Sequence, residues 1–230
     1  MKKAFLFFAV ALATVLALGY LYRDSLKARV YAQITQDMFI DADTDEFDPG
    51  PAIGSSFPGV RARYEGREIT LIQEFAGTKG TVFIASRSLD WCPYCMRQLI
   101  QLQETSKDFS AAGIGLVAIT YDEPKLQQAF IDKFGITIPV LSDVDGLSFK
   151  TLGILNDEYQ QGDFQYGIPH PGMIVIDPAG RVVGKLFLEA YSTRVDSKAA
   201  LAFAQKALGI SRAATPRALN AIPTSTPSTP

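Results

Sequence analysis

The chain has 230 residues, 47% of them apolar and 20% charged, enough for one domain with a buried core plus extensions. The formal net charge is −2 and no basic stripe is present, which argues against a nucleic-acid binder. One histidine and two cysteines exclude a zinc site built from His and Cys alone, and also a multi-disulfide scaffold.

The first element is an apolar run, Ala4–Tyr22, behind Met1-Lys2-Lys3. As a helix it extends about 28 Å, close to bilayer thickness. Residues 1–23 therefore read as a membrane anchor, with Tyr20 and Tyr22 suited to the interface. Ala17-Leu18-Gly19 leaves a cleaved signal sequence open as the alternative. Lysines and arginines flank both ends, so charge alone does not orient the run. The chemistry below favours an extracytoplasmic domain, membrane-anchored or secreted.

Residues 24–51 read as an acidic linker. A short helix over 25–39 is suggested by Leu26, Val30, Ile34 and Met38, and Pro49-Gly50-Pro51 closes the segment. The domain proper spans 52–210. Thr81–Ala85 is a buried strand, Cys92–Phe109 a helix, Gly115–Thr120 a second buried strand. Pro124–Phe134 is an amphipathic helix ended by Gly135, and Ile138–Leu141 a short strand. Met173–Asp177 and Val182–Leu188 form a hairpin around Pro178-Ala179-Gly180, and Ser197–Leu208 is a closing helix. This order predicts an α/β fold with a mixed sheet covered on both faces. Residues 211–230, rich in Pro, Ser, Thr and Ala, are expected to be disordered.

The chemical centre is Trp91-Cys92-Pro93-Tyr94-Cys95, between the first buried strand and the first long helix of the domain. A cysteine at a helix N-terminus meets unpaired N–H groups and the positive end of the dipole, which favours thiolate. Cys95, one turn on, is placed to attack a mixed disulfide on Cys92, and Pro93 suits the first helical turn. Cys92 is accordingly expected to be the more exposed and more acidic thiol. His170 and Arg194 are further candidates for tuning a thiolate, and no cofactor or metal is required.

Trp-Cys-Pro-Tyr-Cys at this junction resembles the thioredoxin superfamily. Phe134–Asp143 (FGITIPVLSD) and His170–Gly180 (HPGMIVIDPAG) resemble its redoxin branch, the AhpC/TSA or peroxiredoxin-like family. The resemblance implies a thioredoxin-like three-layer α/β/α sandwich, here behind an N-terminal transmembrane helix. It also implies a cis-proline, Pro171, facing the cysteines. Two departures stand out. Ser88 and Cys92, or Ala85 and Leu89, occupy the Pro and Thr places of the peroxiredoxin Pro-x-x-x-Thr-x-x-Cys motif. Gly172 stands where an arginine is expected before the late strand. A Cys-x-x-Cys cycle needs only the vicinal pair, so the expected activity is thiol–disulfide exchange with protein thiols or disulfides and a thiol reductant. A peroxiredoxin-like peroxidase acting on a small peroxide is the alternative, and a tethered non-catalytic binding module the second.

Overall fold

The structure is a computed structural model, and it describes residues 2–42 and 45–210. The tail over 211–230 lies outside the described residues. A seven-stranded sheet forms the centre, in the order β3-β2-β6-β5-β4-β7-β8. Its middle is β4 (Gly80–Ala85), parallel to β5 (Ile114–Thr120) and antiparallel to β7 (Gly172–Ile176). β6 (Val140–Ser142) continues the parallel side, and β8 (Val182–Phe187) returns antiparallel beside β7. β2 (Ala62–Tyr64) and β3 (Arg67–Ile69) form an edge hairpin whose two turn residues, Glu65 and Gly66, both have positive φ, as a tight hairpin requires. Every residue of β4 is buried, which explains its uninterrupted apolar run.

The alternation of strands divides the core in two. Val82, Ile84, Leu116, Ala118, Met173 and Val175 pack with Leu99, Leu102 and Phe109 of α2 (Pro93–Ala111), Phe130 of α3 (Pro124–Phe134) and Ala200 and Ala204 of α5 (Ser197–Ala207). Phe83, Ala85, Val117, Ile119 and Ile174 face the other way, onto Phe149 and Leu152 of α4 (Leu147–Leu152) and the β2–β3 hairpin. The expected mixed α/β sheet of thioredoxin type is present. Gly135 ends α3 in the left-handed region, and the Asp196 carboxylate caps α5 by accepting the Lys198 and Ala199 N–H groups.

The N-terminal region differs from expectation. One helix, α1 (Lys2–Ile34), replaces the separate elements expected over 1–23 and 25–39. Nothing between Tyr22 and Ile34 breaks a helix, so the apolar run continues through Arg23, Lys27 and Arg29 as one rod. Among the described residues no helix is long and apolar enough to cross a membrane, so the expected transmembrane helix is not supported.

The acidic segment is also more than a solvated linker. Met38 is buried, and Phe39–Ile40 (β1) pairs in parallel with Arg194–Val195 (β9). The buried Lys185 ammonium reaches the Asp48 carboxylate at 2.9 Å.

Candidate functional site

The site starts at the end of β4, where the chain must turn before α2. Asp122, beyond the end of β5, organises that turn. Its carboxylate accepts the Ser88 hydroxyl at 2.7 Å, the Leu89 N–H at 2.6 Å and the Thr120 hydroxyl at 2.9 Å. Ser88 Oγ in turn accepts the N–H groups of Asp90 and Trp91. Burial pushes the Asp122 carboxyl above its usual range, with these donors pulling the other way. The N–H groups of Leu89, Asp90 and Trp91, just ahead of Cys92, are thus all engaged as the chain leaves the sheet.

Cys92 is the N-cap of α2 and Pro93 opens its first turn. Cys92 and Cys95 are joined as a disulfide, and Cys92 Sγ accepts the Cys95 N–H at 3.3 Å. Both cysteines are 0% exposed. The expectation that Cys92 is the open thiol is therefore corrected. Each sulfur is instead faced by a buried arginine, Arg87 at Cys92 and Arg194 at Cys95, and aromatic pairs flank the segment. Trp91 Nε1 donates to the Tyr121 hydroxyl at 2.8 Å, with the Phe164 ring alongside. Tyr94 meets Tyr191 edge to face.

Two guanidiniums face the sulfurs. Arg194 Nη2 lies 3.6 Å from Cys95 Sγ, its Nε donates to Gln98 Oε1, and its Nη1 donates to the carbonyls of Tyr191 and Thr193. Arg87 Nη2 lies 3.9 Å from Cys92 Sγ. Burial, together with the nearby Arg87 charge, brings the Arg194 guanidinium down to about 9, still a cation at neutral pH. Among the described residues neither arginine is ion-paired to a carboxylate.

Gly172 explains why an arginine cannot come from the position the resemblance suggested. A Cβ there would run into the Phe187 ring, its partner across the β7–β8 ladder. Arg194, two strands later in sequence, supplies the cation instead.

The remaining candidates fall elsewhere. No peptide bond among the described residues is cis, so the cis-proline assignment of Pro171 is corrected. Leu155 bridges Pro169, and the His170 N–H donates to the Ile154 carbonyl, as the segment leads into β7 with a trans bond before Pro171. Pro171 borders a small void with Gln98 and Arg194. His170 packs edge to face on Phe47, and burial lowers its pKa against the pull of Asp157 and Glu158. Sequence reasoning singled out Arg194 but missed Arg87 and Asp122. The signal for Arg87 was a charged residue between a fully buried strand and the cysteines. No group of three or more His, Cys, Asp or Glu among the described residues is arranged to hold a metal.

The AhpC/TSA family model matches residues 53–185, more than half of the chain. The chain belongs to the AhpC/TSA family. Relatives of this redoxin are distant. A protein of Mycobacterium tuberculosis that carries a peroxiredoxin name is 30% identical over 91 residues, covering 40% of this chain and 57% of its own length. The thiol-disulfide oxidoreductase ResA of Bacillus thuringiensis is 27% identical over 136 residues, 58% of this chain and 69% of that protein. The redoxin thus spans less than two thirds of the Mycobacterium protein. A peroxiredoxin-like protein from Aquifex aeolicus superposes with a TM-score of 0.57 at 20% identity, covering 70% of this chain and 90% of that one. Reduced Prx3 from Vibrio vulnificus, in complex with hydrogen peroxide, gives 0.57 at 20% identity, covering 66% and 97%. These two show the shared fold.

Proposed function

We propose that this redoxin is a thiol–disulfide oxidoreductase working through Cys92 and Cys95. One observation carries the reading: the vicinal pair closes as a disulfide across the first turn of α2, with a guanidinium on each sulfur. In the reducing direction the Cys92 thiolate attacks one sulfur of a partner disulfide and one partner thiolate leaves. Cys95 then attacks Cys92 Sγ, releases the second partner thiolate and closes the internal disulfide. The partner gains two electrons and the pair loses two, which a thiol reductant restores. The redoxin match and the likeness to ResA both support this cycle.

A second reading, a peroxiredoxin-like peroxidase, is favoured by the burial of both sulfurs, since a small peroxide needs less access than a protein disulfide. One thiolate would take an oxygen from the peroxide to become a sulfenic acid and release the alcohol or water. The other thiolate would then displace hydroxide to form the same disulfide.

One comparison decides between them. The reduced protein is mixed in parallel with hydrogen peroxide and with a disulfide-bonded polypeptide, and thiol loss is followed. The first reading expects faster oxidation by the polypeptide, and a trapped mixed disulfide on Cys92 in Cys95→Ser. Rapid stoichiometric oxidation by dilute peroxide alone would replace it with the second. A pair inert to both would leave a binding module.

The N-terminal run delivers the domain outside the cytoplasm in this proposal, as an anchor or a removed signal. Labelling of the reduced thiols in intact cells by an impermeant reagent tests it.

A further inference from the structure

A groove of about 330 Å³ lies between α1, α2 and α3, and neither sulfur lines it. Ligand sites run from roughly 300 to 1,000 Å³, so this one has room for a small occupant. Its floor is apolar: Leu89 and Phe130 are buried there, and Pro93 and Met96 are half-buried. Leu126 and Phe134 of α3 also line it, 43% and 42% exposed, large apolar side chains left in water. Three alanines make the room. Ala28 and Ala32 lie about one turn apart on α1, and Ala129 lines the groove from α3.

The charge on this lining is one-sided. Lys27 of α1, Arg97 of α2 and Lys133 of α3 stand against the single carboxylate of Asp90. Among the described residues none of these three cations is ion-paired to a carboxylate. The Lys27 ammonium lies 5.2 Å from the Tyr31 ring centre and that of Lys133 lies 5.3 Å from the Phe134 ring centre, both rings of the groove itself. Three helices thus each bring one cation to a single apolar groove.

Such a lining is complementary to an apolar chain with an anionic head. The chain displaces water from Leu89 and Phe130, and the head meets the cations. A partner helix fits less well, since it is about 10 Å across and a stable protein interface needs roughly 800 Å² on each side. We propose that this groove binds a free fatty acid, with its carboxylate held among Lys27, Arg97 and Lys133. The bound chain touches Leu89 and Pro93 on either side of Cys92 and takes no part in electron transfer, so the proposal stands apart from the thiol chemistry above.

The test uses the full-length protein in detergent-free buffer, photolabelled with a diazirine derivative of dodecanoate and mapped by mass spectrometry. Label should fall on peptides of α2 and α3 and on α1 around Ala28–Ala32. Unlabelled dodecanoate should compete at concentrations at least about tenfold lower than dodecylamine, which has the same chain and the opposite charge. An exposed ion pair is worth about two- to fivefold in binding, so Arg97→Glu combined with Lys133→Glu should weaken competition by about tenfold or more. Ala129→Trp, on an exposed helix position, should fill the groove and remove the label from it.

Label confined to the exposed apolar side chains of α1, such as Phe7, Phe8 and Leu16, overturns the proposal, because those residues would take any greasy probe. Equal competition by dodecylamine overturns it too, as does an Ala129→Trp variant labelled like the wild type. Labelling that disappears as protein concentration rises would assign the groove to a second copy of the chain instead. None of these outcomes touches the redox reading, whose own test is oxidation of the cysteine pair.

Discussion

Replacing Asp122 with alanine removes the acceptor that three donors share at the turn into α2. The Leu89 N–H, 2.6 Å from the carboxylate, would be left buried with no partner, and Ser88 and Thr120 would each lose one bond. An orphaned buried donor costs about 1–3 kcal/mol, and the two hydroxyl bonds add roughly 0.5–1.5 kcal/mol each. Release of a buried carboxylate offsets part of this, so a net loss of about 3 kcal/mol is expected. At about 2–4 °C per kcal/mol for a domain of this size, the melting temperature should fall by roughly 6–12 °C. Asp122→Asn keeps one acceptor oxygen and should lose about half as much.

The pH dependence has a definite sign. Burial raises the folded-state pKa of Asp122 above the ordinary aspartate value of 3.8. The folded protein therefore holds more protons than the unfolded chain between 3.8 and the raised value, and stability falls as pH rises through that window. Asp122→Asn should remove that part of the slope. Thermal unfolding followed by circular dichroism from pH 3.5 to 7 checks both statements. An alanine variant within about 1 kcal/mol of wild type would refute the anchoring role argued for Asp122.

Three further outcomes are expected. Arg194→Met, in a Cys92→Ser background, should raise the pH midpoint for alkylation of Cys95 by about one unit or more. Gly172→Ala should destabilise the domain by about 1–3 kcal/mol through overlap with the Phe187 ring, and Phe187→Leu added to it should recover part of the loss in chemical denaturation. Trp91, the only tryptophan, adjoins Cys92, so its emission should report one two-electron transition with a midpoint between about −230 and −180 mV. A midpoint below about −300 mV, where structural disulfides lie, would count against exchange chemistry.

Much of the architecture was legible because its strands are long and buried. β4 and β5 read as unbroken apolar runs since sheet and helices cover both their faces. The start of α2 was legible from Pro93, and the end of α3 from Gly135. The β2–β3 hairpin escaped notice because three-residue strands are too short to show a period, and only Glu65-Gly66 hinted at a turn. At the site, Cys92 and Cys95 were plain, but Arg87 and Asp122 look like ordinary surface charges in the sequence. Their burial depends on Tyr191 and Trp91 for one, and on Ser88 and Leu89 for the other, none of which a local pattern predicts. Pro171 misled for a related reason: the residues just before it, Pro169 and His170, pair with Leu155 and Ile154 in another segment, which no local pattern foretells.

The pairing of β1 with β9 bears on where this protein can be cut. The Met38 carbonyl accepts the Arg194 N–H at 2.7 Å, and the Ile40 carbonyl accepts the Asp196 N–H at 2.8 Å. The strand that presents a cation to Cys95 is therefore stitched along its length to residues well ahead of the family-matched segment. A fragment beginning at residue 52 would keep both cysteines and all seven strands of the main sheet, yet release the backbone that aims Arg194. Met38–Ile40 are thus tied into the domain through the strand that carries Arg194, and this part of the acidic segment is structural rather than a solvated spacer.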